Sequence, residues 1–224
     1  MPTITRRNWL EVSAAASAAG VLLARGSNTT GPIIVDPAMQ AARDRIRTRY
    51  FPEVVLTTHQ GKKVRFYEDL IKDKIVVIGL MYANCTGVCP IITSNLVKVQ
   101  RMLGDRVGRD IFFYSLTVQP ENDSPKVLKQ YAKEHGVGPG WSFLTGKPDD
   151  VDLVRRKLGF VDPDPEVDKD KTRHSGNVRY GNEPRCLWAM FQGQARPEWM
   201  AESISWVDWP KDQRPNIAAP PTQG

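Results

Sequence analysis

From Phe51 onward the apolar residues fall into patterns that predict elements. The stretch "EVVLTTHQGKKVRFYEDL" (53–70) holds two β-type runs separated by His59-Gln60-Gly61-Lys62, which predicts a hairpin. "KIVVIGLMY" (74–82) is continuously apolar and β-branched, the composition of a strand buried on both faces. Ile92, Leu96, Val99 and Leu103 then recur at helical spacing, with Gly104 placed to end the helix. "DIFFYSLTV" (110–118) predicts a second buried strand. Asp123-Ser124-Pro125 supplies a cap and a first-turn proline for a helix through Tyr131 to Glu134. "WSFLTG" predicts a short strand, Pro148-Asp149-Asp150 opens a helix reaching Leu158, and "RCLWAMF" (185–191) predicts a later strand in which Cys186 is a small buried residue. Strands and helices alternate, so the expected fold is an α/β sandwich: a central mixed sheet flanked by helices, with an N-terminal hairpin.

The residues before this pattern read differently. "TRRNWLEVSAAASAAGVLLARG" (5–26) runs from paired arginines through a small-residue apolar stretch (Val12–Ala24) to another arginine, the layout of a secretory signal. That stretch is shorter than the roughly 18 residues a membrane-spanning helix needs. The order Thr5-Arg6-Arg7-Asn8-Trp9-Leu10 resembles the twin-arginine export motif, with Trp9 in the usual phenylalanine position and Glu11 in place of a frequent lysine. Residues 1–26 are therefore expected to be an export signal or an N-terminal anchor, and an uncleaved segment would associate the protein with a membrane. Residues 27–50 read as a basic linker with an amphipathic turn over Met39–Ile46, residues 51–209 as the folded domain, and the proline-rich residues 210–224 as a disordered tail. The expected compartment is a bacterial periplasm, where a cysteine pair serves as a disulfide, a redox centre or a metal site.

Composition changes this picture little. The 224 residues carry 31 Lys and Arg against 25 Asp and Glu, a net charge of +6, with 41% hydrophobic residues. Much of the basicity is local: "RDRIRTRY" (43–50) holds four arginines. No nucleic-acid-binding signature accompanies that charge, so nucleic acid is not an expected partner. A solvated face, or attraction to anionic lipid or an acidic partner, fits the basic run better. "DPDPEVDKDK" (162–171) lacks the glycine and terminal glutamate of a calcium loop and reads as a solvated, mobile loop.

The candidate chemistry lies in "MYANCTGVCP" (81–90), which sets Cys85 and Cys89 four residues apart, after a central strand and before a helix. Sites in such sheets favour that edge. Helix-start N–H groups are expected to lower both thiol pKa values, and helical i, i+4 spacing to bring both sulfurs to one side. The spacing alone leaves a disulfide, a redox pair, two metal ligands and plain buried thiols open. Among the three histidines, His59 is expected to be a solvated turn residue and His135 a helix-end packing residue, whereas His174 in "KTRHSGN" has neither explanation. Two thiolates with one imidazole suit copper, because sulfur holds Cu(I) and nitrogen accommodates Cu(II).

Taken in order, "MYANCTGVCP", "VQPENDSPKVLKQYAKEHG", "WSFLTG" and the isolated "HS" resemble the Sco/SenC family of thioredoxin-like copper proteins, over about Phe51 to Phe191. The resemblance implies a thioredoxin-like sandwich in which Cys85, Cys89 and His174 bind copper. It further implies a metallochaperone that delivers copper to a binuclear centre in a copper-accepting subunit of a respiratory oxidase or reductase. The alternative implied by the same family is a thiol–disulfide oxidoreductase in which Cys85 and Cys89 form the redox pair and reduce the target's cysteines. Two positions depart from the family: Arg173 and Gln119 stand where aspartates are common. Loss of a carboxylate beside a site re-tunes its affinity.

Overall fold

The computed structural model describes residues 36–170 and 176–208. By internal contacts the chain divides into residues 1–34 and 35–224, and the described residues all belong to the second part. The twin-arginine-like segment, the first part of the basic linker (residues 27–35), His174 with Arg173, and the proline-rich tail lie outside the described residues.

The elements in chain order are α1 (Pro37–Tyr50), β1 (Val55–Thr58), β2 (Lys63–Arg65), a short π-type turn (Phe66–Ile71), β3 (Ile75–Met81), α2 (Val88–Leu103), β4 (Ile111–Thr117), α3 (Pro125–Glu134), β5 (Trp141–Thr145), α4 (Pro148–Lys157), α5 (Pro165–Lys169), β6 (Asn177–Asn182), β7 (Leu187–Gln192) and α6 (Pro197–Trp206). The strands form one sheet in the order β2-β1-β5-β4-β3-β6-β7. β4 pairs in parallel with both β3 and β5, while the remaining pairs are antiparallel. The mixed sheet, the flanking helices and the β1–β2 hairpin are those expected from the apolar pattern.

β3 is central because all seven of its residues are buried, leaving no face for water. Its odd positions, Ile75, Val77 and Met81, join a core with α2, α3 and α6; its even positions, Val76, Ile78 and Leu80, join a second core with the π-type turn and α4. Gly104 ends α2 in a left-handed conformation (φ 56°). Ser124 caps α3, with Pro125 in the first turn. No described helix is long and apolar enough to cross a membrane.

The structure departs from the sequence reading in five places. Where only a turn was expected, α1 is a fourteen-residue helix, capped by Asp36, that buries none of its residues fully. It rests Ile46 and Tyr50 on the second core and is anchored by Arg43, whose Nε and Nη2 donate to the Glu183 carboxylate at 2.9 and 2.6 Å, with Glu183 3% exposed. β6 and α6 were not expected: β6 is short and polar and gains its order by pairing with β3. Cys186 is not a buried strand residue. It sits half-buried in the turn joining β6 and β7, at φ 54°, its N–H donating to the Glu183 carbonyl at 3.0 Å.

His59 is not a freely solvated side chain. Its Nδ1 accepts from the Phe143 N–H at 3.1 Å, its ring stands edge-on to Phe143, and burial lowers its pKa, which keeps that nitrogen an acceptor. The loop from Asp162 is mostly exposed, but it contains α5 and one anchored carboxylate. Asp168 accepts from Arg155 Nη1 and Nη2 at 2.6 and 2.9 Å, and Arg155 is buried. His135 does pack at a helix end as expected, stacked on Tyr131 with ring centroids 3.9 Å apart.

Candidate functional site

Cys85 lies in the loop that leaves β3, and Cys89 is the second residue of α2. Both are free thiols and buried, Cys85 at 8% exposure and Cys89 at 1%. The expected helical i, i+4 geometry is absent, because Cys85 precedes the helix. The sulfurs still meet, because the loop folds back: the Cys85 N–H donates to the Tyr82 carbonyl at 3.2 Å, and the two thiols hydrogen-bond each other.

That placement divides the two thiols electrostatically. Burial is the largest single influence on Cys85 and pushes it up. It is outweighed by hydrogen bonds from the Cys89 thiol, the Cys89 N–H, the Tyr82 hydroxyl and the Gly87 N–H, and the net shift is downward. Cys89 is pushed up to about 12, first by burial and then by its bond to Cys85. The expectation that both thiols would be lowered is corrected. The N–H groups at the helix start serve the sulfur outside the helix, whereas the sulfur on its first turn is enclosed. Tyr82 is itself raised to about 12, chiefly by its bond to Cys85. One prediction follows from this split. At pH 8 a limiting amount of iodoacetamide is expected to label Cys85 well before Cys89, as checked by peptide mass mapping; equal labelling would contradict the assignment.

Among the described residues no group of three His, Cys, Asp or Glu side chains is assembled to hold a metal. A two-thiol centre with a mutual hydrogen bond supplies two soft donors of the kind Cu(I) or Zn(II) takes. Two described residues flanking the 171–175 segment lie near neighbours of the cysteines, Tyr82 and Ile92. Asp170 is close enough to Tyr82 for its charge to raise the tyrosine's pKa. Gly176 lies over α2, where a Cβ on it would stand 3.2 Å from Ile92 Cδ1, and its carbonyl accepts from the Gly193 N–H at 2.9 Å.

Sequence reasoning missed three contributors. Tyr82 carried no signal beyond its place in the motif. Arg155 looked like one of several basic residues closing a helix, and its burial arises only when Asp152, Asp168 and the Phe160 carbonyl converge on it at 2.6–3.0 Å. Asp123 was assigned to a helix cap, but Ser124 performs the capping, and Asp123 turns inward to the cysteine loop. Gln119 directs its Oε1 to the Asn122 side chain, which donates at 3.3 Å, and its N–H to Thr117 Oγ1 at 3.0 Å.

A family model described as SCO1/SenC matches residues 43–207, well over half of the chain. A Bacillus subtilis protein named SCO1 protein homolog is 30% identical over 132 residues, covering 49% of this chain and 67% of the relative. A putative copper-binding protein of Stutzerimonas stutzeri is 24% identical over 135 residues, covering 59% of this chain and 64% of the relative. The chain thus spans about two thirds of the length of these relatives. Among solved structures, Bradyrhizobium japonicum ScoI with copper bound superposes with a TM-score of 0.56 at 24% identity, covering 68% of this chain and 96% of that one. The likeness establishes the thioredoxin-like architecture of the sheet and helices.

Proposed function

Since the chain belongs to the SCO1/SenC family, we propose that it is an extracytoplasmic copper metallochaperone. Copper is the cargo: the thiolates of Cys85 and Cys89 hold it, and the His174 imidazole is the third donor. It leaves by stepwise ligand exchange to the thiols of an acceptor subunit in a respiratory oxidase or reductase. Residues 1–26 act as a twin-arginine-type export signal or tether.

The observation that carries this reading is the buried pair of mutually hydrogen-bonded thiols at the end of β3, with the residues flanking the His174 segment acting on Tyr82 and resting over Ile92. His174 is two residues from Gly176, so an extended chain keeps its Cα within about 7 Å of a glycine that already rests over Ile92. A relative named as a putative copper-binding protein, and a copper-bound structure of the same fold, support the choice of metal. The chemistry agrees: two soft sulfurs suit Cu(I), and adding a nitrogen makes Cu(II) acceptable.

The test is anaerobic copper titration of the reduced protein and of His174→Ala, followed by absorbance and electron spin resonance. The variant is expected to retain much of its Cu(I) binding, since two thiolates suffice, and to lose Cu(II) affinity by at least about tenfold. Unchanged binding of both ions would remove His174 from the site.

A second reading is favoured by the opposed pKa shifts. A thiol–disulfide oxidoreductase needs one activated thiol and one held in reserve, which is the division between Cys85 and Cys89. Here the Cys85 thiolate attacks a target disulfide and releases one target thiol. Cys89 then attacks the mixed disulfide, freeing the second target thiol and leaving Cys85–Cys89 oxidised. Full reductase activity in His174→Ala would favour this role over copper transfer.

A further inference from the structure

A carboxyl group is buried against the cysteine loop, and neither copper ligation nor thiol exchange makes direct use of it. Asp123 is 1% exposed. Its Oδ1 and Oδ2 accept from the Ala83 N–H at 3.3 and 3.1 Å, and its Oδ2 also accepts from the Thr117 hydroxyl. Thr117 is the last residue of β4 and pairs in register with Met81, the last residue of β3. The Asp123 N–H donates to the Gln119 carbonyl at 3.0 Å, and the next residue caps α3. One side chain therefore ties three segments together: the end of the sheet, the start of α3 and the loop that carries Cys85.

Burying a carboxyl group is expensive, and an apolar residue would fill the space at less cost. Its compensation is specific. Ala83 is two residues before Cys85, and the loop's own backbone bond, Cys85 N–H to Tyr82 carbonyl, closes around it. Fixing Ala83 to the sheet fixes the turn that aims the Cys85 sulfur at Cys89 and at the Tyr82 hydroxyl. The nearby Gln119 side chain engages Asn122 and not the loop's Ala83. Asp123 is thus a buried carboxyl group hydrogen-bonded to the loop.

We propose that Asp123 is a positioning residue that sets the thiol–disulfide equilibrium of the Cys85–Cys89 couple, by holding Ala83 in the dithiol arrangement. The inference rests on reading the two cysteines as a reversible couple. The redox step is a two-electron exchange with a small disulfide. The Cys85 and Cys89 thiols give up two protons and two electrons and form one S–S bond. Oxidised dithiothreitol accepts both, its own S–S bond breaks, and it leaves as the dithiol. The clamp is built on the dithiol form, so loosening it shifts the equilibrium toward the disulfide.

The experiment equilibrates the full chain against mixtures of reduced and oxidised dithiothreitol and counts free thiols by alkylation mass shift, Cys186 adding one constant label. Asp123→Ala is expected to move the equilibrium constant about tenfold toward the disulfide, a fall in midpoint potential of about 30 mV. Asp123→Asn keeps one acceptor for the Ala83 N–H and is expected to shift the same way by less. Thr117→Val, which removes the hydroxyl that anchors Asp123, should behave like Asp123→Asn. Thermal midpoints are measured alongside. A merely structural carboxyl would lower the midpoint and leave the potential where it was. That result, or a shift in the opposite direction, overturns the proposal, and Asp123→Asn decides the matter if Asp123→Ala does not fold. A parent chain with no reversible couple would instead overturn the thiol reading on which the proposal stands, an outcome visible before any variant is made.

Discussion

Replacing Cys89 with alanine is expected to lower Cu(I) affinity by more than about a hundredfold and to remove any sulfur-to-copper charge-transfer absorbance. Losing an outer partner of a ligand costs about 10–100-fold, and removing one of two thiolates must exceed that. The same substitution should also slow alkylation of Cys85 at neutral pH. Burial alone pushes the Cys85 thiol up, and the Cys89 thiol is the foremost of the hydrogen bonds that bring it back down. Without that bond the Cys85 pKa rises and its thiolate fraction at pH 7 falls. Cys85→Ala should abolish copper binding as well, while leaving Cys89, 1% exposed, almost unreactive. Copper titration of each variant, with iodoacetamide kinetics at pH 7, checks both effects. Retention of tight binding by either variant would mean that the thiols do not share one ion.

Removing the Arg155 side chain is expected to have a large effect on stability. Its guanidinium is 7% exposed and donates to Asp152, to both Asp168 oxygens and to the Phe160 carbonyl. Breaking a fully buried ion pair costs about 3–5 kcal/mol, and the partial exposure of Asp152 and Asp168 (22% and 18%) brings the expectation for Arg155→Ala to about 2–4 kcal/mol. For a chain of this size that is a fall in Tm of roughly 4–16 °C.

The effect has a pH signature. The Arg155 guanidinium holds Asp168 down to about 2. A carboxyl lowered on folding contributes stability that is complete above its unfolded pKa, near 4, and is lost as pH falls toward 2. Variant and parent should therefore differ fully at neutral pH and converge in acid. Because Arg155 also anchors the segment leading to Asp170 and His174, the variant should lose Cu(II) affinity while Cys85 alkylation stays unchanged. Thermal melts between pH 2.5 and 7, with copper titration at pH 7, test this expectation.

Legibility from the sequence followed the range of the interactions involved. β3 was readable because burial on both faces forces every residue of Ile75–Met81 to be apolar. The β1–β2 turn, the end of α2 at Gly104 and the Ser124-Pro125 start of α3 are local devices, and each appeared where expected. β6 was not readable, since "NVRYGN" offers only Val178 and Tyr180 as apolar positions and takes its order from β3, about a hundred residues earlier. α1 was hidden for a related reason: only Ile46 and Tyr50 pack on the second core, and its anchor is Arg43 on Glu183, 140 positions away.

At the site, the two cysteines could be found from spacing and motif order. Their opposed protonation behaviour could not, because it depends on Cys85 standing just outside the helix that Cys89 begins. Asp123 was concealed by its neighbour Ser124, whose capping role explained both residues until the loop at Ala83 was seen to fold onto the carboxyl.

The closeness of the two sulfurs along the chain has a thermodynamic consequence. Cys85 and Cys89 are separated by four positions, whereas the neighbour that completes one side of β3 starts at Asn177. Joining the sulfurs closes only a very small ring and restricts the unfolded chain little. The chain-entropy relation gives about 2 kcal/mol for a ring of about five residues, less than half the roughly 4.7 kcal/mol for a hundred-residue one. Closing that ring would therefore change the resistance of the domain to melting by far less than a bond between distant strands would.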